Sequence, residues 1–334
     1  MRTWFSFLLL ALLALSAQAD TSTEPSCNSE QADCVAVGSW QVSVGVGLGV
    51  RTNPLIGGDN IPLVLLPSVS YYGERFFFDT TSIGFTLHED THSMFNLVAT
   101  VGLDSMYFSD ISLGNFVIEG TGGGFNLGGL GLTSALDGDA AEDLTLAPPV
   151  DETRTPNTYD IDGPNEFFHK PELTSPRGEP QTIFVEQIAD RKMAGLAGLE
   201  YSYSLGATQI SVQALQDFTH VHDGQELRFG LDRRWRLGRN QIALAGGFVW
   251  QSDRVVDYYY GLGERDVGDA SQLYYRAGDA VTPYLRADWL RPVTPNWTLQ
   301  MTLHQKWLGR SIHRSPLVQD STSTTVFVGG VYHF

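Results

Sequence analysis

The sequence predicts an all-β protein, a closed antiparallel transmembrane β-barrel of ten to twelve strands with twelve preferred, carrying one long loop or partial plug. Three observations predict it. Apolar and small polar residues alternate with a period of two in many separate segments. Past the amino-terminal leader, no apolar run reaches the ~20 residues a spanning helix needs. Short turns alternate with long polar connections, which is the asymmetry of outer-membrane barrels.

In order along the chain, residues 1–19 read as a signal peptide: Arg2 gives the basic start, Trp4 to Leu15 the apolar run, and Ala17-Gln18-Ala19 the small-residue cleavage site. Residues 20–38 read as a periplasmic tail. It holds both cysteines, Cys27 and Cys34, and an oxidising compartment favours a small disulfide-closed loop there. The barrel is placed at 39–334. Its first strand, Trp40 to Val50, sets apolar even positions against Gln, Ser and Gly. Ile61–Tyr72, Arg75–Leu87 and Met94–Leu103 follow as less regular strands.

Residues 104–191 break the pattern. They combine a glycine-rich stretch (Gly120 to Gly131), acidic clusters (Asp137, Asp139, Glu142, Asp143; Asp160, Asp162, Glu166) and seven prolines from Pro148 to Pro180. A long acidic loop or partial plug is expected. The glycines lack the Gly-Lys-Ser/Thr ending of a phosphate loop, and the acids lack calcium-loop spacing, so flexibility and solvation are the expected roles.

Strands resume at Met193–Tyr203 and Thr208–Phe218. In the next segment Leu227, Phe229, Leu231, Trp235 and Leu237 oppose Glu226, Arg228, Asp232, Arg234 and Arg236. Charged residues on one strand face suit a wet interior, so Arg228, Asp232, Arg234 and Arg236 are candidate lumen residues. Ile242–Trp250, Tyr284–Leu290, Trp297–Trp307 and the terminal segment from Val326 complete about eleven strands. Single-chain bacterial barrels usually have even counts, so a further strand is expected within 104–191 or through a miscount elsewhere. No helical period is apparent.

A membrane barrel is preferred to a soluble sandwich because Trp and Tyr mark strand ends (Trp40, Tyr71, Tyr72, Trp235, Trp250, Trp289, Trp297, Trp307), as aromatic girdles do. Unpaired backbone groups cost several kcal/mol each in lipid, so such a sheet must close. The chain ends on Phe334 with Tyr332 in alternation, resembling the signal read by barrel-assembly machinery.

The formal charge of −17 argues against nucleic acid as a partner. Eight histidines are scattered; His220 and His222 form an i, i+2 pair that would share a strand face, without an evident third ligand. No Gly-x-Ser-x-Gly elbow is present. Catalytic residues, metal ligands and cofactors are therefore expected to be none. The expected partners are outer-membrane lipid and lipopolysaccharide and the barrel-assembly machinery.

Several pieces together resemble one family. They are Val44–Leu55 with Gly57-Gly58-Asp59, Pro62–Gly73, Arg75-Phe-Phe-Phe78, Asp257-Tyr258-Tyr259-Tyr260-Gly261, Pro283-Tyr-Leu285, Arg314-Ser315-Pro316-Leu317-Val318 and Val331-Tyr-His-Phe334. The chain resembles the MltA-interacting protein (MipA/OmpV) family of small outer-membrane barrels. That resemblance implies a scaffold joining a lytic transglycosylase to a penicillin-binding protein, with murein cleavage and synthesis linked. Other members imply a surface adhesin. The charged lumen row motivates a rival reading, a small diffusion channel. No catalytic residue is carried over, and Tyr258–Gly261 and Ser315–Val318 are read as loop packing rather than partner contact. Residues 104–191 depart from the family pattern by being longer and more acidic.

Overall fold

The computed structural model describes residues 38–109, 113–118, 183–268 and 273–334. The signal peptide, Cys27 and Cys34, the Gly120–Gly131 stretch and both acidic clusters lie outside them.

Alternation forces neighbouring side chains onto opposite faces, and twelve strands result, ten of them 9–13 residues long: β1 (Ser39–Arg51), β2 (Ile61–Tyr72), β3 (Phe76–Asp79), β4 (Ser82–Glu89), β5 (Ser93–Val101), β6 (Gly195–Leu205), β7 (Thr208–Asp217), β8 (Gln225–Leu237), β9 (Asn240–Gln251), β10 (Ala280–Pro292), β11 (Trp297–Trp307) and β12 (Thr322–His333). Each pairs antiparallel with its sequence neighbours, and β1 pairs with β12 from Ser43↔His333 to Arg51↔Thr325, so the sheet closes.

Twelve strands are present among the described residues. The twelfth comes from Arg75–Leu87, expected as one strand, which is a hairpin: β3 turns at Thr80 and Thr81 into β4. Its apolar run has no Gly, Pro or Asn at the reversal, and Thr80 takes a positive φ of 40° instead. β3 is so short that it pairs with β2 only at Ser70, Tyr71 and Tyr72.

Five tight turns (73–75, 90–92, 206–207, 238–239, 293–296) fall at one end; the longer connections, with the two-residue β3–β4 turn, face the other way. Short turns mark the periplasmic end of such barrels. The wall is inverted relative to a soluble domain: Leu48, Val64, Leu97, Leu231, Leu285 and Leu303 are exposed outward, whereas Asn96, Gln213, Glu226, Arg228, Arg286, Asp288, Gln300 and His304 are buried inside. Outward aromatics gather near both strand ends, with Trp40, Tyr71, Trp235, Trp289 and Trp297 at the short-turn end and Trp250 and Trp307 at the other. Tyr72 is the exception; it turns inward and stacks on Phe77 at 6.4 Å.

The absence of a helical period does not hold either. Asp253–Tyr260 forms a helix, α1, followed by the short helices α2 (Glu264–Val267) and α3 (Arg310–His313). Eight residues are too few to display periodicity convincingly, and packing rather than propensity holds such a helix.

Candidate functional site

The site is the lumen and the cap over its long-loop end. On β8, residues two apart share the inner face, so Glu226 and Arg228 meet: Nη2 donates to Oε2 at 2.8 Å and Nε at 3.0 Å. On β10 the same spacing joins Arg286 to Asp288 at 2.7 Å. Thr302 Oγ1 on β11 donates to Asp288 at 2.7 Å and accepts from Gln300 Nε2 at 3.0 Å. The Thr302–Asp288 bond ties β11 to β10 on the inner face, while the two arginine pairs each lie along one strand.

Of the four candidate lumen residues, Arg228 and Asp232 are buried on this face, Arg234 is half-buried 3.8 Å from Asp232, and Arg236 is exposed at the short-turn rim. The strand is long enough that its last inward position reaches water.

The cap grows from α1. Val255, Val256, Tyr259 and Tyr260 are buried and pack with Leu55, Met106, Tyr107, Ile312, Leu317 and Val318 in one apolar cluster. Gly261 ends the helix where a Cβ would strike the Asp257 carbonyl. Arg191 Nη2 donates to the Gly261 carbonyl at 3.2 Å and to Asp266 Oδ1 at 2.9 Å. Ser315 Oγ donates to the Tyr260 carbonyl at 2.6 Å and accepts from Leu317 N at 3.2 Å. The structure thus brings together Tyr258–Gly261 and Ser315–Val318. Tyr259 and Tyr260 are 1% exposed, Ser315, Leu317 and Val318 are 0% exposed, and Tyr258 and Pro316 are half-buried.

Below the cap, Asp104 joins it to the lumen. Tyr260 Oη donates to Asp104 Oδ1 at 2.6 Å, and Gln251 Nε2 donates to Asp104 Oδ2 at 2.7 Å and to Glu226 Oε1 at 3.3 Å. Burial first, and the Glu226 charge second, raise the Asp104 carboxyl above the ordinary carboxylate range. The cavity here, walled by Asp104, Glu226, Arg228, Gln251, Tyr260 and Lys306, has about 50 Å³ of room for water-sized occupants. That is space for a few waters.

Sequence reasoning missed Asp104, Arg191 and the inner acids on other strands, because their partners are fixed by register and loop packing. The His220/His222 pair does not share a strand face. Both lie in the β7–β8 connection; His220 is exposed and 2.7 Å from Asp223, while His222 is buried with Nδ1 accepting from Gly224 N. Tyr332 packs edge-on against Trp297 and Phe334, and Phe334 is 78% exposed at the short-turn end.

A family model described as MltA-interacting protein MipA matches residues 44–334. The chain belongs to the MipA family. Among its relatives, the Escherichia coli K12 proteins named "Putative outer membrane protein YiaT" and "MltA-interacting protein" are each 22% identical over 150 residues. That stretch is 45% of this chain, 61% of the first and 60% of the second. OmpV of Vibrio cholerae is 23% identical over 45% of this chain and 58% of its own. The chain thus spans about three fifths of the length of the curated relatives it matches. Among solved structures, an outer membrane channel from Pseudomonas putida F1 aligns over 92% of this chain and 100% of its own with 9% identity and a TM-score of 0.35, too low to carry an argument. This MipA-family barrel is a protein of the bacterial outer membrane, and its relatives carry interaction-protein and outer-membrane-protein names.

Proposed function

We propose that this barrel works as a scaffold at the boundary between murein and outer membrane, holding a lytic transglycosylase, and through it a penicillin-binding protein, near the membrane. The observation that carries the reading is the apolar α1 cluster packed among the long-loop connections. Beneath it Tyr260 of the cap is bonded to Asp104, and Arg286, Asp288, Thr302 and Gln300 are tied together on the inner faces of β10 and β11. A barrel committed to transport keeps a wet path, whereas a scaffold has no need of one. The printed name of the Escherichia coli relative supplies the partner class.

The test is affinity capture from periplasmic extract with the purified, folded barrel. Recovery of a murein hydrolase is the expected result, and its absence counts against the scaffold. The rival channel reading rests on the charged inner face of β8. Planar bilayers separate the two: ohmic, persistent steps support a channel, and silence supports the scaffold.

A further inference from the structure

The strands divide their basic residues unequally between the two faces of the wall. Arg51, Arg228, Arg234, Arg236, Arg286 and Lys306 hold inward positions. Of the basic residues borne on strands, only Arg233 on β8 and Arg291 on β10 point outward. Both are exposed, and among the described residues neither joins an ion pair. Arg233 instead lies over the ring of Trp235, its guanidinium carbon 5.6 Å from the centroid. The register Trp235↔Ile242↔Trp289 carries a second outward indole to β10, two residues before Arg291.

Register also fixes how deep these groups lie. Arg233 pairs with Thr208, the first residue after the β6–β7 turn, and Arg234 N donates to the Ala207 carbonyl at 3.1 Å. Arg291 sits opposite Leu299, two residues ahead of the β10–β11 turn. Each outward arginine is therefore level with a short turn, where hydrocarbon gives way to headgroups on the periplasmic side. Trp235 and Leu237 lie past the last β7 partner, and exposed Arg239 stands in the β8–β9 turn. The acids at this end among the described residues, Glu74, Glu89 and Asp90, all belong to the β2–β5 sector. The outward positions of β8, β9 and β10 include none.

An arginine on a lipid-facing wall is tolerated where its head reaches the interface. Its planar fork matches phosphate oxygens two at a time, and an indole beneath it holds the guanidinium in place. Nothing in the surrounding wall supplies the anion. A soluble acidic partner would approach from below the rim, whereas these side chains leave the wall sideways, into the bilayer. We propose that the outward face of β8–β10 at the short-turn end binds anionic phospholipid of the inner leaflet, with Arg233 and Arg291 taking headgroup phosphates beside Trp235 and Trp289. A scaffold and a channel would carry such a face alike.

The experiment places the full chain, folded, in nanodiscs of equimolar phosphatidylcholine and phosphatidylglycerol. Native mass spectrometry then counts the lipids that stay bound as the disc is stripped away. Wild type should retain phosphatidylglycerol over phosphatidylcholine, and Arg233→Gln and Arg291→Gln should each cut that preference about fivefold. Arg265→Gln, exposed on α2 at the long-loop end, should leave it unchanged. No preference in wild type, or an undiminished one in the double variant, would overturn the proposal. A double variant that loses lipid A but keeps phosphatidylglycerol would move the phosphate to the outer leaflet and overturn it too. Loss of hydrolase capture with lipid preference intact would give the arginines to a protein partner, with the same result. Heat-modifiable migration checks folding. Should the variants not fold, wild type still decides: added salt should erode a preference held by exposed charge, and indifference to salt would overturn the assignment.

Discussion

Arg228 shows how little a single inward charge can be spared. Its guanidinium holds Glu226 at 2.8 Å in a wall where both are buried. Arg228→Leu leaves that carboxylate without its partner and should destabilise the barrel by about 3–5 kcal/mol in urea unfolding from vesicles. Adding Glu226→Gln should recover much of the loss, because the apolar and neutral pair no longer buries an unmatched charge. Asp90, in the β4–β5 turn, is the exposed counterpart. The Ser93 hydroxyl first, then the amides of His92 and Ser93, hold its carboxyl down at about 2. A lowered carboxyl contributes stability above its unfolded value, and that contribution is lost as the pH falls from about 4 towards 2. Asp90→Asn should therefore flatten the acid side of the stability profile, measured between about pH 5 and 2. Period two was enough to put Glu226, Arg228, Asp232 and Arg234 on one strand face. It could not say which acid each arginine chooses, nor that Arg236 lies beyond the wall.

Elements built from long alternation were legible, and those governed by packing were not. β1, β8, β9 and β11 follow their sequence pattern closely. The β3–β4 hairpin was hidden because Thr80 and Thr81 reverse the chain without a turn residue, so Arg75–Leu87 reads as one strand. Helix α1 was hidden because its stability comes from the loops around it. The serine and tyrosine pieces of the cap lie far apart in sequence, and no local pattern announces that Ser315 serves the Tyr260 carbonyl. Ser315→Ala strands that buried carbonyl and should loosen the cap by about 1–3 kcal/mol. The expected readout is faster proteolysis in the long-loop connections, with heat-modifiable migration of the barrel retained. If cleavage stays at the wild-type rate, the cap does not depend on that bond.

The whole molecule is a ring whose outside is apolar and whose inside is charged. Leu231, near the centre of β8, is 43% exposed on the outer face. Leu231→Arg should lower stability in vesicles by about 2–4 kcal/mol, the depth-dependent penalty of charge facing lipid. A negligible change would mean that this face does not meet hydrocarbon. The ring also carries a consequence for its own making. Eleven of its seams join strands that follow one another in the chain, so they can zip up in sequence. The last seam, Ser43 beside His333, cannot be sewn until both borders have arrived. Until then two raw selvedges stand open, each with a full row of amides and carbonyls, and whatever escorts the polypeptide to the membrane must keep them from knitting to a neighbour.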